Sequence, residues 1–215
     1  MAPLWPRIKV FGEGNIPAEG PCLLTPNHYS NPGFPAWWIA LSISAVVPGP
    51  IHWVITAAWT FGGKPYARPL VHLTRWLFWK FAQVYGFTTM PPMPPDPGEV
   101  LARARAVHKI LYYARRTPEP VIALAPEGMD THGGSLGAPP PGAGRFISLL
   151  VPYCQKIIPI GVYEEGESLC VRFGQPYHPA SSGDHHHRDC DLSVAQVVMQ
   201  AIADQLPPEL RGGYS

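Results

Sequence analysis

Apolar residues recur along the chain with two periodicities, one typical of buried strands and the other of helices. Short apolar runs bounded by glycine, proline or polar residues predict strands, and longer segments with apolar residues three or four positions apart predict helices. The strands are predicted at residues 8–11, 21–25, 51–57, 84–88, 121–125, 156–163 and 168–173, and the helices at 34–47, 69–84, 96–116, 145–153 and 193–205. Because strands alternate with helices, we predict an α/β fold: residues 1–215 form a single domain with a mixed, mostly parallel sheet flanked by helices.

The predicted helix at 69–84 carries an unusual number of large apolar side chains. They are Trp76, Leu77, Phe78, Trp79 and Phe81, with Arg75 and Lys80 among them. Either the tryptophans pack into the core, or the helix lies on a lipid surface with its basic side chains at the level of the headgroups. Charged residues make up only 14% of the chain, against about 25% in soluble domains. Exposed apolar surface is therefore expected, and it favours a membrane surface or an apolar ligand as partner.

A polar turn follows the strand predicted at 21–25, and it contains His28. Asn31 suits the N-cap of the next helix and Pro32 its first position. His28 would then lie just ahead of the positive end of that helix, which disfavours the imidazolium and favours a neutral imidazole able to act as a general base. The alternative is a turn histidine bonded to a backbone carbonyl.

A second polar corner follows the strand predicted at 121–125, which runs directly into Pro126, Glu127 and Gly128. In open α/β sheets, ligands bind at the carboxyl ends of the strands. A carboxylate and a glycine at this place therefore indicate a functional site, whereas the structural alternative for Glu127 is a carboxylate paired with an arginine.

The two corners resemble known motifs. Asn27-His28-Tyr29-Ser30 and Pro126-Glu127-Gly128 are similar to the first and third motifs of the glycerolipid acyltransferase family, which includes the lysophosphatidate (1-acylglycerol-3-phosphate) acyltransferases. Residues 158–160 resemble the fourth motif of that family, and residues 202–214 resemble a common ending.

The resemblance implies transfer of a fatty acyl group from an acyl thioester, on coenzyme A or acyl carrier protein, to a hydroxyl of a lysolipid or related acceptor. His28 would take the hydroxyl proton, and Glu127 and Gly128 would bind the acceptor. Asn27 and Ser30 would shape the turn, and either could contact the acceptor. This chemistry requires no metal and no redox cofactor.

Three positions depart from the family pattern. Gly33 stands where the family has the aspartate that holds the imidazole, and Asp130 stands where the third motif has an arginine. The second motif normally ends in an arginine, and residues 86–90 contain none. We expect Glu127, or else Asp130, to orient His28 in place of the missing aspartate.

The phosphate-binding arginines of the family also need replacement. Lys64, Arg68 and Arg75 are the candidates, and ordinary surface charge is the alternative for each. We therefore expect an acceptor without a phosphate monoester, or one held by these three cations.

Two functions remain open from the sequence. The first is an acyltransferase at a membrane surface, and the second is a catalytically inactive homologue that binds a lipid or an acyl chain. We favour the first, and the replacements at Gly33, Met90 and Asp130 support the second.

Composition excludes several other classes. A net charge of +1 gives no electrostatic case for nucleic acid. The four cysteines are scattered, which is typical of reduced thiols in the cytoplasm. No apolar run reaches the roughly 20 residues that span a bilayer, so we expect a cytoplasmic protein peripheral to the membrane.

Two further patterns lack the context that their chemistry needs. Residues 133–137 match the Gly-x-Ser-x-Gly nucleophile elbow, but a polar turn precedes them and prolines follow, whereas the elbow needs a strand before it and a helix after it. The histidines at 185–187 lack the ligand spacing of a structural zinc site. We expect neither a serine hydrolase nor a metal centre.

Overall fold

Alternating strands and helices build a seven-stranded sheet with helices on both faces. The computed structural model describes residues 7–31, 34–60, 68–94, 96–129, 132–178 and 187–214. The strands are β1 (Arg7–Phe11), β2 (Cys22–Pro26), β3 (His52–Thr56), β4 (Thr88–Met90), β5 (Val121–Ala123), β6 (Lys156–Glu165) and β7 (Ser168–Phe173). The helices are α1 (Trp37–Val46), α2 (Arg68–Tyr85), α3 (Val100–Arg116), α4 (Ala143–Cys154) and α5 (His187–Ala203).

The strands lie in the order β1-β7-β6-β2-β5-β3-β4. Every neighbouring pair is parallel except β6 and β7, which form an antiparallel hairpin. The predicted α/β fold with a mixed, mostly parallel sheet is therefore confirmed. Because β2 lies between β6 and β5, the residues that follow β2 have the end of β5 on one side and the continuing strand β6 on the other.

The helices form two layers on the sheet. α3, α4 and α5 cover one face, where Ile110, Ile147 and Val198 pack against Leu23 and Ile122. α1 covers the other face, where Ile39 and Ile43 pack against apolar residues of β2, β5 and β6. Connections between parallel strands are right-handed, and those through α1 and α2 step across the sheet in the same direction, so α2 lies on the same face as α1. None of the described helices combines the length and the apolar character that crossing a bilayer requires.

The predicted start of α1 is wrong. The helix begins at Trp37 with Ala36 as its N-cap, nine residues after His28. Asn31 does not cap it, because Asn31 and Phe34 exchange two backbone hydrogen bonds, of 3.1 and 2.9 Å, that close a separate loop. The argument that a helix N-terminus keeps His28 neutral therefore fails. Residues 32–33 lie outside the described ranges, so the consequence of Gly33 stays a prediction.

The predicted position of β4 is also shifted. α2 continues to Tyr85, and Gly86 then takes a left-handed conformation with φ of 72° before β4 begins at Thr88. Glycine tolerates this conformation at little steric cost, so it ends the helix where the periodicity alone predicted a strand.

Candidate active site

The two polar corners meet at the carboxyl edge of the sheet. β2 and β5 are parallel neighbours, with Leu24 opposite Ala123, so the residues that follow them emerge side by side. The backbone N–H of His28 donates to Glu127 Oε2 at 2.5 Å. The histidine motif and the glutamate-glycine motif therefore form one constellation.

Glu127 ties three segments together with a buried carboxylate. Only 1% of the residue is exposed. Its Oε2 accepts from the His28 main chain, and its Oε1 accepts from the backbone N–H of Gly137 at 2.6 Å. Burial, and secondarily the charge of Glu127, raises the pKa of the Tyr214 hydroxyl, so the C-terminal segment also lies near the carboxylate. A buried anion needs such donors, and both bonds act on main chain, so they fix the shape of the site.

Asn27 joins the histidine turn to β6. The residue is 1% exposed, its Nδ2 donates to the carbonyl oxygen of Val162 at 2.9 Å, and its Oδ1 accepts from the Val162 N–H at 2.6 Å. Its own N–H donates to the Ile160 carbonyl oxygen at 3.3 Å. The side chain thus continues the pairing of β2 with β6 by one residue. Asn27 is thereby fixed to β6, and its contact with an acceptor stays a prediction.

A second carboxylate holds the segment after His28. Glu164 Oε2 accepts from the Tyr29 hydroxyl and from Asn31 Nδ2, each at 3.0 Å. Burial, followed by the bond to Glu164, raises the pKa of the Tyr29 hydroxyl. The Tyr29 ring lies against Gly134, where a Cβ would come within 2.4 Å of the ring. Sequence reasoning missed Glu164, because its only signal is its place at the end of a buried strand.

Three residues of the two motifs, His28, Ser30 and Gly128, reach the surface. His28 is partly exposed, with Nδ1 of its ring shielded from solvent, and Ser30 is also partly exposed. Gly128 is exposed with φ of 67°, and a Cβ there would lie 3.4 Å from Met93 in the loop after β4. The end of β4 therefore contributes to the same edge of the sheet as β2 and β5.

Of the three predicted phosphate-binding cations, only the side chain of Arg75 lies within the described residues. Arg75 forms an ion pair with Glu99 at 3.1 Å, just before α3. Lys64, the side chain of Arg68 and Asp130 lie outside what the structure describes, so their predicted roles are untested.

The two alternative chemistries gain no support. Residues 133–137 begin within a short 3-10 turn at His132–Gly134, and α4 begins only at Ala143. Within the described ranges no three His, Cys, Asp or Glu residues could hold a metal, and the histidines at 185–187 fall outside the described side chains.

Comparison with known proteins identifies a family and a protein of similar fold. A family model described as Acyltransferase matches residues 7–163, a range that contains both corners of the site. The crystal structure of the 1-acyl-sn-glycerophosphate (LPA) acyltransferase PlsC from Thermotoga maritima is similar in fold. It has 14% sequence identity and a TM-score of 0.56, and the match covers 94% of this chain and 73% of that chain. No curated protein matches the sequence.

Proposed function

The chain belongs to the acyltransferase family, and from this premise we propose that it moves a fatty acyl group from an acyl thioester to a hydroxyl of a lysolipid or related acceptor at a membrane surface. The thioester would be carried by coenzyme A or by acyl carrier protein. The observation that carries the proposal is the contact between the two corners, where the His28 N–H meets the Glu127 carboxylate at 2.5 Å.

His28 acts as the general base in this proposal. Its imidazole takes the proton of the acceptor hydroxyl as the hydroxyl oxygen attacks the thioester carbonyl carbon. When the tetrahedral intermediate collapses, the C–S bond breaks, and the imidazolium returns the proton to the departing thiolate. The products are the acylated acceptor and the free thiol, so no metal or redox cofactor enters these steps.

Glu127 is a positioning residue in this proposal. Its oxygens accept main-chain N–H groups of His28 and Gly137, and this supports a role in holding the base in place. Gly128 is exposed next to Glu127 in the chain, and Ser30 is the partly exposed hydroxyl of the histidine turn. We propose that these two residues, together with the Glu127 corner, receive the acceptor.

We base the proposed acceptor on the cations that could hold a phosphate, and the proposed cellular location on the buried cysteine thiols. Arg75 is already paired with Glu99, so we propose an acceptor without a phosphate monoester, or one whose phosphate is held by Lys64 or Arg68. We also propose a protein of the cytoplasm, peripheral to a membrane, which is supported by three buried free thiols at Cys22, Cys154 and Cys170.

A second candidate function is binding without catalysis. Gly33 occupies the place of the orienting aspartate, and in the serine protease triad loss of the orienting charge costs about ten-thousandfold in rate. A homologue that binds a lipid or an acyl chain would retain the fold without needing that aspartate.

One assay separates the two functions. Transfer of labelled acyl groups from acyl-coenzyme A and acyl carrier protein to a panel of lysolipids and alcohols is measured for the parent, His28→Ala and His108→Ala. His108 is an exposed histidine of α3, on the opposite face of the sheet, and serves as the matched control. Loss of at least about a hundredfold in His28→Ala alone supports catalysis by His28.

Equal backgrounds in the parent and His28→Ala would support the binding homologue instead. A Gly33→Asp variant adds a third comparison, since activity that appears only in this variant would mean that the natural chain lacks an orienting group. A strong preference for lysophosphatidate that survives alanine at Lys64, Arg68 and Arg75 would contradict the proposed acceptor.

A further inference from the structure

The layer formed by α1 and α2 exposes large apolar side chains on its outer side. We call this surface the aromatic face, and it contains Trp37, Leu41, Trp59, Leu73, Trp76 and Trp79. Leu73, Trp76 and Trp79 are each half exposed or more, at 56%, 55% and 50%. Single exposed apolar residues are normal, but a contiguous apolar surface of this kind marks a binding surface.

Trp59 makes ring contacts with both helices of this layer. The ring of Trp59 lies 6.0 Å from that of Trp37 on α1 and meets the ring of Phe78 on α2 edge-on at 5.2 Å. The backbone N–H of Trp59 also donates to the Thr74 hydroxyl at 3.2 Å. Trp59 therefore packs against both α1 and α2.

Neither α1 nor α2 contains an acidic residue, and Glu99, just before α3, pairs with Arg75 of α2. All fifteen acidic residues of the chain lie outside residues 20–95, whereas four Lys and Arg residues lie within this segment. Lys80 lies over the Trp79 ring at 5.1 Å, on the same helix as the most exposed tryptophans. An apolar surface with tryptophans, lysine and no carboxylates is complementary to the interface of an anionic bilayer.

We infer that the aromatic face docks the protein on an anionic lipid bilayer, with α1 and α2 lying in the interfacial plane. This rests on the proposed function and deepens it, because it identifies the surface and the headgroup charge. Trp59 follows β3 at the carboxyl edge of the sheet, the edge that also carries His28 and Glu127. Docking through the aromatic face therefore holds that edge next to the lipid from which acceptor and acyl chain would come.

Vesicle binding tests this inference without any catalytic step. The full chain is sedimented with vesicles of phosphatidylcholine alone and of phosphatidylcholine with 30% phosphatidylglycerol. The variants are Trp76→Ser/Trp79→Ser, Lys80→Glu, and the control pair Leu101→Ser/Tyr112→Ser, which are exposed residues of α3 on the opposite face. Circular dichroism melts check that each variant folds.

The parent is expected to bind the anionic vesicles at least tenfold more tightly than the neutral ones. The double tryptophan variant should lose at least tenfold on both, Lys80→Glu should lose several-fold on the anionic vesicles only, and the α3 control should match the parent within twofold. His28→Ala should bind like the parent, so failure of catalysis and failure of docking are distinguishable.

Three outcomes would overturn the inference. They are a parent that binds neither vesicle, a double tryptophan variant that is folded and binds as the parent does, and a parent that is dimeric through this face and excludes lipid. The last outcome is recognised by a tryptophan variant that becomes monomeric in analytical ultracentrifugation.

Discussion

Replacing Asn27 by leucine tests how the histidine turn is held. Leucine has nearly the shape of asparagine but neither of its polar atoms. The change removes the bonds of 2.9 and 2.6 Å to Val162 and leaves the N–H and the carbonyl group of Val162 buried without the partner that Asn27 supplies. Because Asn27 is 1% exposed, water cannot replace the lost partner without opening the structure.

The expected loss of stability is estimated from the two buried main-chain groups of Val162. Each buried polar group left without its partner costs about 1–3 kcal/mol, so the two together cost about 2–6 kcal/mol. The apolar leucine recovers about 1–2 kcal/mol by burial. The expected net loss is about 3 kcal/mol, which in a chain of this length lowers the melting temperature by roughly 6–12 °C.

Thermal unfolding and acyl transfer are the two assays. Ser42→Ala is the matched control for stability, since Ser42 is fully buried but its hydroxyl bonds only the Ile39 carbonyl within α1. We expect that control to lose about 1 kcal/mol. In Asn27→Leu the turnover should fall by about a hundredfold, because a displacement of 1 Å at a catalytic group has that effect. An Asn27→Leu variant that melts within 2 °C of the parent would refute the reasoning.

Two further predictions concern the stability of the protein at acid pH and a steric clash at Gly134. Burial, with a smaller effect of the Lys109 charge, lowers the pKa of His52 to about 4. Since the unfolded chain binds this proton at a pKa near 6.5, the parent should lose about 3 kcal/mol of stability as the pH falls from 6.5 to 4. In urea unfolding, the stability of His52→Gln should depend less steeply on pH. Equal slopes of stability against pH in the two proteins would contradict the assignment to His52. Gly134→Ala places a Cβ within 2.4 Å of the Tyr29 ring at a φ of 71°, whereas Gly133→Ala has nearly the same φ, 72°, and open space around its Cβ. We therefore expect Gly134→Ala to be less stable than Gly133→Ala by about 1–3 kcal/mol in urea unfolding. Equal stabilities of the two variants would exclude the clash.

The sequence pattern was sufficient to predict the sheet and the two corners of the site. Strands such as β7, predicted at 168–173 and found at Ser168–Phe173, are short apolar runs with polar boundaries, so local residues determine them. The meeting of His28 and Glu127 follows from a general property of parallel neighbours, whose carboxyl ends emerge at one edge.

The contacts that hold the site were beyond the sequence pattern. Asn31 has the residue type of a helix cap, but its amide donates to Glu164, which lies 133 positions further on. The bond from Gly137 to Glu127 likewise depends on how the loop before α4 returns to the sheet. Helix and strand propensities cannot predict such partners, because each contact is formed by residues that only the tertiary fold brings together.

The dependence of the histidine turn on β6 has a consequence for the order in which the protein matures on the ribosome. Asn27 and Val162 are 135 positions apart, and Tyr29 is equally far from Glu164. A nascent chain therefore emerges with His28 long before the template that shapes the turn has been translated. Truncated translation products that stop before Val162 carry the histidine motif without its scaffold, so the geometry of the turn forms only after β6 has been synthesised.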